Sequence, residues 1–254
     1  MTALPLRRQD PAPVSGQLVS IDSESSIYGD GSYLKNNPSW HVEESPFKVR
    51  QIQRMLKQQK LAPKTVCDVG CGAGMVLAEL QTHLPADCVC WGYDISPDAL
   101  AMSANRGNER LRFRLRDIRK DECDTFFDLL LMLDVFEHVE DYMGLVRVVR
   151  SKARQKLFHI PLDLSVQAVL RKNGLLLRRD HHAHLHYFTK ETALRTLTDV
   201  GYTVVDYFYT PRCIELGDLL IQKMARIPRM LAFALASNLT VRVLGGYSLM
   251  VLAE

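Results

Sequence analysis

The stretch Thr65-Val-Cys-Asp68-Val-Gly70-Cys-Gly72-Ala-Gly74-Met75-Val-Leu-Ala-Glu-Leu80 decides the fold. A β-type run over Thr65–Val69 meets glycines at the alternate positions 70, 72 and 74, and a helical pattern of Met75, Leu77, Ala78 and Leu80 follows. Glycine lets a backbone turn tightly and approach a ligand closely, because no Cβ blocks positive φ or contact. The helix start that follows presents unpaired N–H groups and the positive end of its dipole. A strand, a glycine loop and a helix in this order bind a nucleotide-like cofactor or an anionic group.

Three details narrow the choice. Asp68 stands two residues before the first glycine, where a phosphate-binding loop would not welcome a carboxylate. The spacing is G-x-G-x-G, whereas the pyrophosphate fingerprint is G-x-G-x-x-G, so a nicotinamide-dependent dehydrogenase is disfavoured. Trp91-Gly-Tyr-Asp94-Ile95-Ser ends the next strand with an acid that can bind ribose hydroxyls. An acid beside the loop suits the ammonium of a methionine moiety better than a phosphate.

Taken in order, Asp68-Val-Gly-Cys-Gly-Ala-Gly74, Asp94-Ile95-Ser, Arg116-Asp117-Ile118 and Phe127-Asp-Leu-Leu-Leu-Met-Leu133-Asp134-Val-Phe-Glu137-His138-Val139 resemble the motifs of class I S-adenosylmethionine-dependent methyltransferases. The likeness spans about residues 60–205 and is nearest to bacterial members that modify quinones, polyketides and glycans. It implies that Gly70, Gly72 and Gly74 with Asp68 hold the methionine part, Asp94 the ribose, and Asp117 the adenine, with Ile95, Ile118 and Leu133 also lining the cofactor. The implied fold is α/β: a Rossmann-like, doubly wound, seven-stranded sheet of order 3-2-1-4-5-7-6 with strand 7 antiparallel, plus an N-terminal cap and two helical insertions.

Composition agrees with one such domain over residues 1–254: an N-terminal arm and cap helix over 1–60, a cofactor-binding half over 61–160, and substrate-side insertions at 161–188 and 210–245. Apolar residues make up 47% and charged residues 24%, as in ordinary soluble proteins, and a net charge of +3 does not by itself call for nucleic acid. The six cysteines lack a zinc-like pair of pairs, and the first residues lack an apolar leader, so a cytoplasmic protein with reduced thiols is expected.

Residues 1–26 read as a loose polar arm. Residues 28–41, aromatics mixed with turn formers, resemble a cap that closes over the cofactor, or else form a surface loop. Ser45 and Pro46 suit the start of a helix that ends before Pro63. The alternation Leu111-Arg-Phe-Arg-Leu-Arg116 predicts a half-exposed edge strand, with Leu111, Phe113 and Leu115 inward. The apolar run over 128–133 predicts a central one. Strands are also expected at 88–93, 157–161, 202–209 and 246–253, and a helix at 189–201.

Two insertions bear on the substrate. The first carries His181-His-Ala-His184-Leu-His186, ahead of a Tyr-Phe-Thr junction that resembles those of the quinone, polyketide and glycan members. An imidazole suits removal of a hydroxyl proton because its pKa lies near neutrality. His184 is the expected base and His186 its reserve; ordering of the loop by hydrogen bonds is the structural alternative. Asp134-Val-Phe-Glu137-His138 is similar to a Glu-x-x-Glu-His pattern that binds a divalent metal in some members. A metal is compatible with that pattern but not favoured, and no metal ligands are assigned. In the second insertion no Asp or Glu occurs from residue 219 to 253, and two short apolar helices broken at Pro228 are expected. The uncharged run over 230–241 is too short to span a bilayer. This stretch reads as a lid or a homodimer contact, with peripheral attachment to an anionic membrane as the alternative.

The expected function is O-methylation of a small-molecule or glycan- or lipid-linked hydroxyl, using S-adenosylmethionine. The alternatives are N-methylation of an amino sugar, or a non-catalytic cofactor-binding regulatory or scaffold protein. Nucleic acid is not a favoured partner, since no Asn/Asp-Pro-Pro-Tyr-like motif for base flipping occurs.

Overall fold

The computed structural model describes residues 32–120, 125–215 and 220–254. The predicted arm over residues 1–26 lies outside them, as does the first part of the cap. At the centre stands β4 (Phe127–Leu133), buried at every position but Asp128, because helices cover both faces of the sheet. Around it, β1 (Thr65–Val69), β2 (Val89–Asp94), β3 (Leu111–Leu115), β5 (Ala153–Pro161), β6 (Val204–Thr210) and β7 (Ser248–Ala253) complete a seven-stranded sheet. Its order is β3-β2-β1-β4-β5-β7-β6, as expected. Strands β1 to β5 are parallel, and β7 runs antiparallel to both β5 and β6. On the predicted edge strand, Arg112 and Arg114 lie over the Trp91 ring at 4.9 and 4.8 Å. The alternation fails at its last residue: Leu115 is 53% exposed at the open end of the edge.

Ten helices are described: α1 (Ser32–Asn36), α2 (Ser45–Gln58), α3 (Met75–Leu80), α4 (Pro97–Ser103), α5 (Tyr142–Arg150), α6 (Val166–Leu170), α7 (Gly174–His182), α8 (Lys190–Asp199), α9 (Arg212–Glu215) and α10 (Leu220–Leu244). Ile52 and Met55 of α2 and Leu77 of α3 pack on Val66, Leu129 and Leu131. On the other face Val146 and Val149 of α5 and Leu197 of α8 meet Leu130 and Phe158. Helix starts follow local chemistry: Ser96 accepts from Ala99 N, and Thr189 and Thr192 cap each other reciprocally. Ser45 departs from expectation. It lies inside α2, behind a 3₁₀ turn (Val42–Glu44), because the preceding Glu44 is drawn into an ion pair with Arg212.

The second insertion also departs. Two helical segments are present, as expected, but the break falls at Ala236 (φ −149°, ψ 67°) and the first segment runs through Pro228. Tertiary anchors just after the proline hold the first segment in place. Arg229 donates to the carbonyls of Gly245 and Leu244 at 3.0 and 3.1 Å, and Phe233 stacks on Tyr247 at 5.1 Å between ring centres. The uncharged run is short, yet residues Ala225–Leu244 together are long and apolar enough to cross a membrane by length and composition.

Strand order reverses between β1 and β4. In open α/β sheets the crevice beyond the strand ends at such a reversal is where ligands bind.

Candidate active site

Beyond the ends of β1 and β4 lies a cavity of about 620 Å³. Its floor is the glycine loop. Gly70, Gly72 and Gly74 adopt φ of 75°, 53° and 76°, all in the left-handed region. At Gly72 a Cβ would come within 2.6 Å of the Trp40 ring. Tyr33 and Trp40 pair at 4.9 Å between ring centres, and both line the cavity, so the described part of the 28–41 segment lies over the loop.

Asp68 sits beneath the loop, 2% exposed, and its Oδ1 has no hydrogen-bond partner. Burial pushes its carboxyl up to about 8. Lys48, paired to Asp134, opposes this rise only in part, and an ammonium in the cavity would supply a cation of Asp68's own. Asp94 is tied to the loop instead: it accepts from Gly72 N and from Ser96 N, both at 2.8 Å. Burial raises its pKa, and these backbone bonds oppose the rise.

A smaller apolar slot of about 70 Å³ opens beside Asp94. Ile95, Ile118, Val135 and Val139 line it, with Asp117 at its polar side. Asp117 is held by Arg119 through bonds of 3.0 Å to each of its oxygens. Gly70 and His138 line both spaces, so slot and cavity adjoin. Leu133 lines the main cavity. All nine residues assigned above to the cofactor therefore line one of the two spaces.

At the end of β4 the chain turns sharply at Asp134, a non-glycine residue with φ of 56°. Its carboxylate meets Lys48 Nζ at 2.7 Å and His159 Nδ1 at 2.6 Å, while His159 Nε2 lies 2.8 Å from Thr210 Oγ1. Burial would raise the Asp134 pKa, but His159 and Lys48 hold it well below the usual range. Lys48 responds in kind: burial would lower it, and Asp134 raises it above its ordinary value.

Three residues on, Glu137 is 1% exposed and neither carboxylate oxygen has a hydrogen-bond partner. Burial, reinforced by Asp134, pushes its pKa well up. His138 places Nδ1 at 3.2 Å from the Ala183 carbonyl, which makes Nδ1 the donor and leaves Nε2 with a lone pair. Burial and the neighbouring His184 bring His138 down to about 3.

His184 places Nδ1 at 2.6 Å from Asp163 Oδ2, and Arg178 lies 3.4 Å from the other Asp163 oxygen. Burial works against the charge of Asp163, but His184 and Arg178 lower its pKa overall. The pairing makes Nδ1 the donor, so in the neutral imidazole the lone pair is on Nε2. His184 lines the cavity with Asp163, Arg178 and His182. His186 does not. Its Nε2 lies 3.0 Å from the Val139 carbonyl and its ring packs on Tyr142 at 4.5 Å.

Among the described residues, Glu137, His138 and His184 bring one ligand atom each within 4.8 Å of one another. One carboxylate and two imidazoles suit a divalent cation, and the orphaned Glu137 oxygens fit that use. Asp134, the first acid of the pattern, is committed to Lys48 and His159 instead. His181 is exposed, so the insertion's contribution to this cluster is His184.

Sequence reasoning missed Asp163 and Lys48. Lys48 left a trace: it falls three and seven residues before Gln51 and Met55 on the buried face of α2, an unusual place for a lysine. Asp163 left none, since a lone acid after a strand is unremarkable until the fold brings His184 to it.

Residues 41–207 match the family described as a methyltransferase domain. The chain therefore belongs to the class I S-adenosylmethionine-dependent methyltransferases. It is 24% identical over 132 residues to the ubiquinone biosynthesis O-methyltransferase of Coxiella burnetii, a match covering 50% of this chain and 54% of that protein. The chain thus spans about half the length of the curated relatives it matches. Its fold is similar to that of magnesium protoporphyrin IX methyltransferase from Synechocystis PCC 6803 with bound SAH, at a TM-score of 0.60 and 14% identity, over 91% of this chain and 99% of that one. It is also similar to the N-methyltransferase NodS from Bradyrhizobium japonicum WM9 in complex with S-adenosyl-L-homocysteine, at a TM-score of 0.57 and 16% identity, over 88% and 98%.

Proposed function

We propose that the protein methylates a hydroxyl oxygen of a small-molecule or lipid- or glycan-linked acceptor, with His184 as the base. The observation that carries this reading is the Asp163–His184 pair, 2.6 Å apart, facing the same cavity as the glycine loop. The likeness to the Coxiella ubiquinone biosynthesis O-methyltransferase supports it.

S-adenosylmethionine supplies an electrophilic methyl group on a sulfonium, whose bonding electron pair stays on sulfur after transfer. Asp68 takes the ammonium, the glycine loop gives close backbone approach, Asp94 takes ribose hydroxyls, and the Ile95–Ile118 slot takes the adenine. Asp163 fixes the His184 tautomer, so Nε2 receives the hydroxyl proton as the oxygen gains the methyl. The resulting imidazolium is stabilised by the Asp163 carboxylate. Cap residues Tyr33 and Trp40 shield the loop from water, which leaves positioning and proton removal as the protein's contribution.

The test is transfer of labelled methyl from S-adenosylmethionine to a panel of phenols, catechols, aliphatic alcohols and amino sugars. His184→Asn should lower kcat by about 10²–10⁴-fold while leaving S-adenosylhomocysteine affinity unchanged. Turnover confined to amines, or undiminished in His184→Asn, would overturn the reading. A second reading rests on the orphaned Glu137 oxygens: a divalent cation on Glu137, His138 and His184 would orient the acceptor oxygen, and His184 would then be a ligand. Loss of turnover with EDTA and its return with Mg²⁺, Mn²⁺ or Zn²⁺ would select that reading.

A further inference from the structure

The exposed outer face of α10, with the neighbouring α6 and the start of α7, is apolar where a surface is ordinarily polar. Ile227, Leu231, Leu235, Leu239 and Val243 recur every four residues along α10 and are all exposed, Leu235 at 88%. Spacing of four places side chains one above another within each helical segment, Ile227 to Leu235 before the kink at Ala236 and Leu239 to Val243 after it. The opposite side of α10 is occupied: Phe233 stacks on Tyr247, Val241 is buried, and Asn238 accepts from Lys190 and Tyr209 at 3.0 and 2.7 Å. The stripe is therefore left over after the helix has met its own protein.

Helix α6 adjoins it: the Gln167 amide of α6 lies against Arg229 and the Leu244 carbonyl of α10. At the tip of α6, Val169 and Leu170 are 60% and 80% exposed, and Leu176 and Leu177 of α7 are 56% and 50% exposed. Scattered apolar residues on a surface need no explanation, but a run of this length on adjoining elements marks an interaction site.

Charge identifies the partner. Residues 166–182 and 220–253 together contain eight Lys and Arg and a single acid, Asp180, although the whole chain nearly balances 32 basic against 29 acidic residues. Arg171, Lys172, Arg179 and Arg226 are exposed beside the apolar side chains. An isologous pairing of two copies would set these cations against each other. An anionic bilayer offers both an apolar depth for the leucines and phosphates for the rim, as in helices that lie in the membrane plane. The anchors of α10 on Tyr209 of β6, on Tyr247 and on Lys190 and Glu191 of α8 oppose its leaving the protein to cross the membrane.

We propose that this face docks on an anionic lipid surface with α10 lying in the interface plane. The same elements border the cavity, through Arg178 and His182 of α7 and through Gly246 and Tyr247 just after α10. The docked protein therefore brings its cavity to the membrane, and a membrane-resident acceptor can enter from the lipid side. That corollary rests on the proposed methyl transfer; docking itself does not.

Vesicle flotation of the full chain tests it, with phosphatidylcholine alone and with phosphatidylcholine–phosphatidylglycerol mixtures. Binding is expected to the mixed vesicles and to weaken with salt. Leu231→Glu/Leu235→Glu should reduce it on the order of tenfold or more, with S-adenosylhomocysteine affinity intact as proof of folding. Arg171→Glu/Lys172→Glu should weaken binding to the mixed vesicles alone. No binding to the mixed vesicles, equal binding to both kinds, or full binding by the leucine variant would overturn the proposal. So would a dimer in lipid-free solution that the leucine variant dissociates, since the face would then be a subunit contact. Vesicle binding without methyl transfer to any acceptor would leave docking standing and remove the proposed activity.

Discussion

Asp134 and Glu137 stand three residues apart after β4, both largely out of water, and they meet burial in opposite ways. Asp134 has a cation and an imidazole within 2.7 Å and stays ionised. Glu137 has no hydrogen-bond partner and is driven towards its neutral form. A buried charge with partners belongs to the scaffold, whereas a buried acid without them marks a place kept for something that binds. Asp68 is a second acid of the latter kind, beneath the glycine loop.

The largest expected effect comes from breaking the paired acid. Lys48→Met removes one partner and leaves the Asp134 carboxylate to His159 alone, which should cost about 3 kcal/mol of stability. Glu137→Gln resembles the protonated acid in shape and charge, so urea unfolding at neutral pH should shift by less than about 1 kcal/mol. Equal losses in the two variants would remove the distinction.

The two acids should also tilt stability against pH in opposite senses. The folded pKa of Asp134 lies below the ordinary 3.8, so its stabilisation is present above that value and is lost as pH falls through the folded pKa. The folded pKa of Glu137 lies above the ordinary 4.5, so its relative stabilisation is present below that value and is lost as pH rises through the folded pKa. Urea midpoints across pH should show Asp134→Asn flattening the acid side and Glu137→Gln the alkaline side. The same flattening from both would mean that the acids titrate as one unit.

Asp68 carries the contrast to the cofactor. With its carboxyl near 8 in the unliganded protein, an ammonium partner must displace a proton at neutral pH. Affinity for S-adenosylhomocysteine should therefore rise by up to about tenfold per pH unit between about pH 6 and 7.5. Asp68→Asn should abolish that slope and weaken binding at the upper end. Calorimetry in buffers of different ionisation enthalpy reads the proton release directly, and its absence would take the ammonium role away from Asp68.

Much of this was legible before any coordinates. Alternate glycines after Asp68, the acid of Trp91-Gly-Tyr-Asp94 and the apolar run of β4 each carry their meaning locally, through turn geometry and side-chain periodicity. The sheet order followed from the resemblance those motifs carry. What stayed hidden depends on separations no local pattern encodes. Asp163 reaches His184 only when α6 and α7 fold back between them, and Lys48 reaches Asp134 from another helix altogether. Pro228 misled only on position: the first helical segment runs through it, and the break falls at Ala236. The two histidines of His184-Leu-His186 look equivalent in the chain, and only their partners separate them.

That last pair gives the smallest expected effect. His184 Nδ1 is engaged by Asp163 and its ring lines the cavity, whereas His186 donates through Nε2 to the carbonyls of Val139 and Glu140 at 3.0 and 3.2 Å. Those bonds pin the start of α8's approach to the turn before α5. His186→Ala removes one donor and part of a ring contact with Tyr142, and should lower stability by about 1 kcal/mol. Affinity for S-adenosylhomocysteine and the pH profile of methyl transfer should not move, because His186 touches neither space. The alanine variant at 184 should lower stability by more, because it leaves the buried Asp163 to Arg178 alone, and should also remove the acid limb of the pH profile, where a general base is protonated. A shared profile change would return His186 to the chemistry and reopen the assignment of the base.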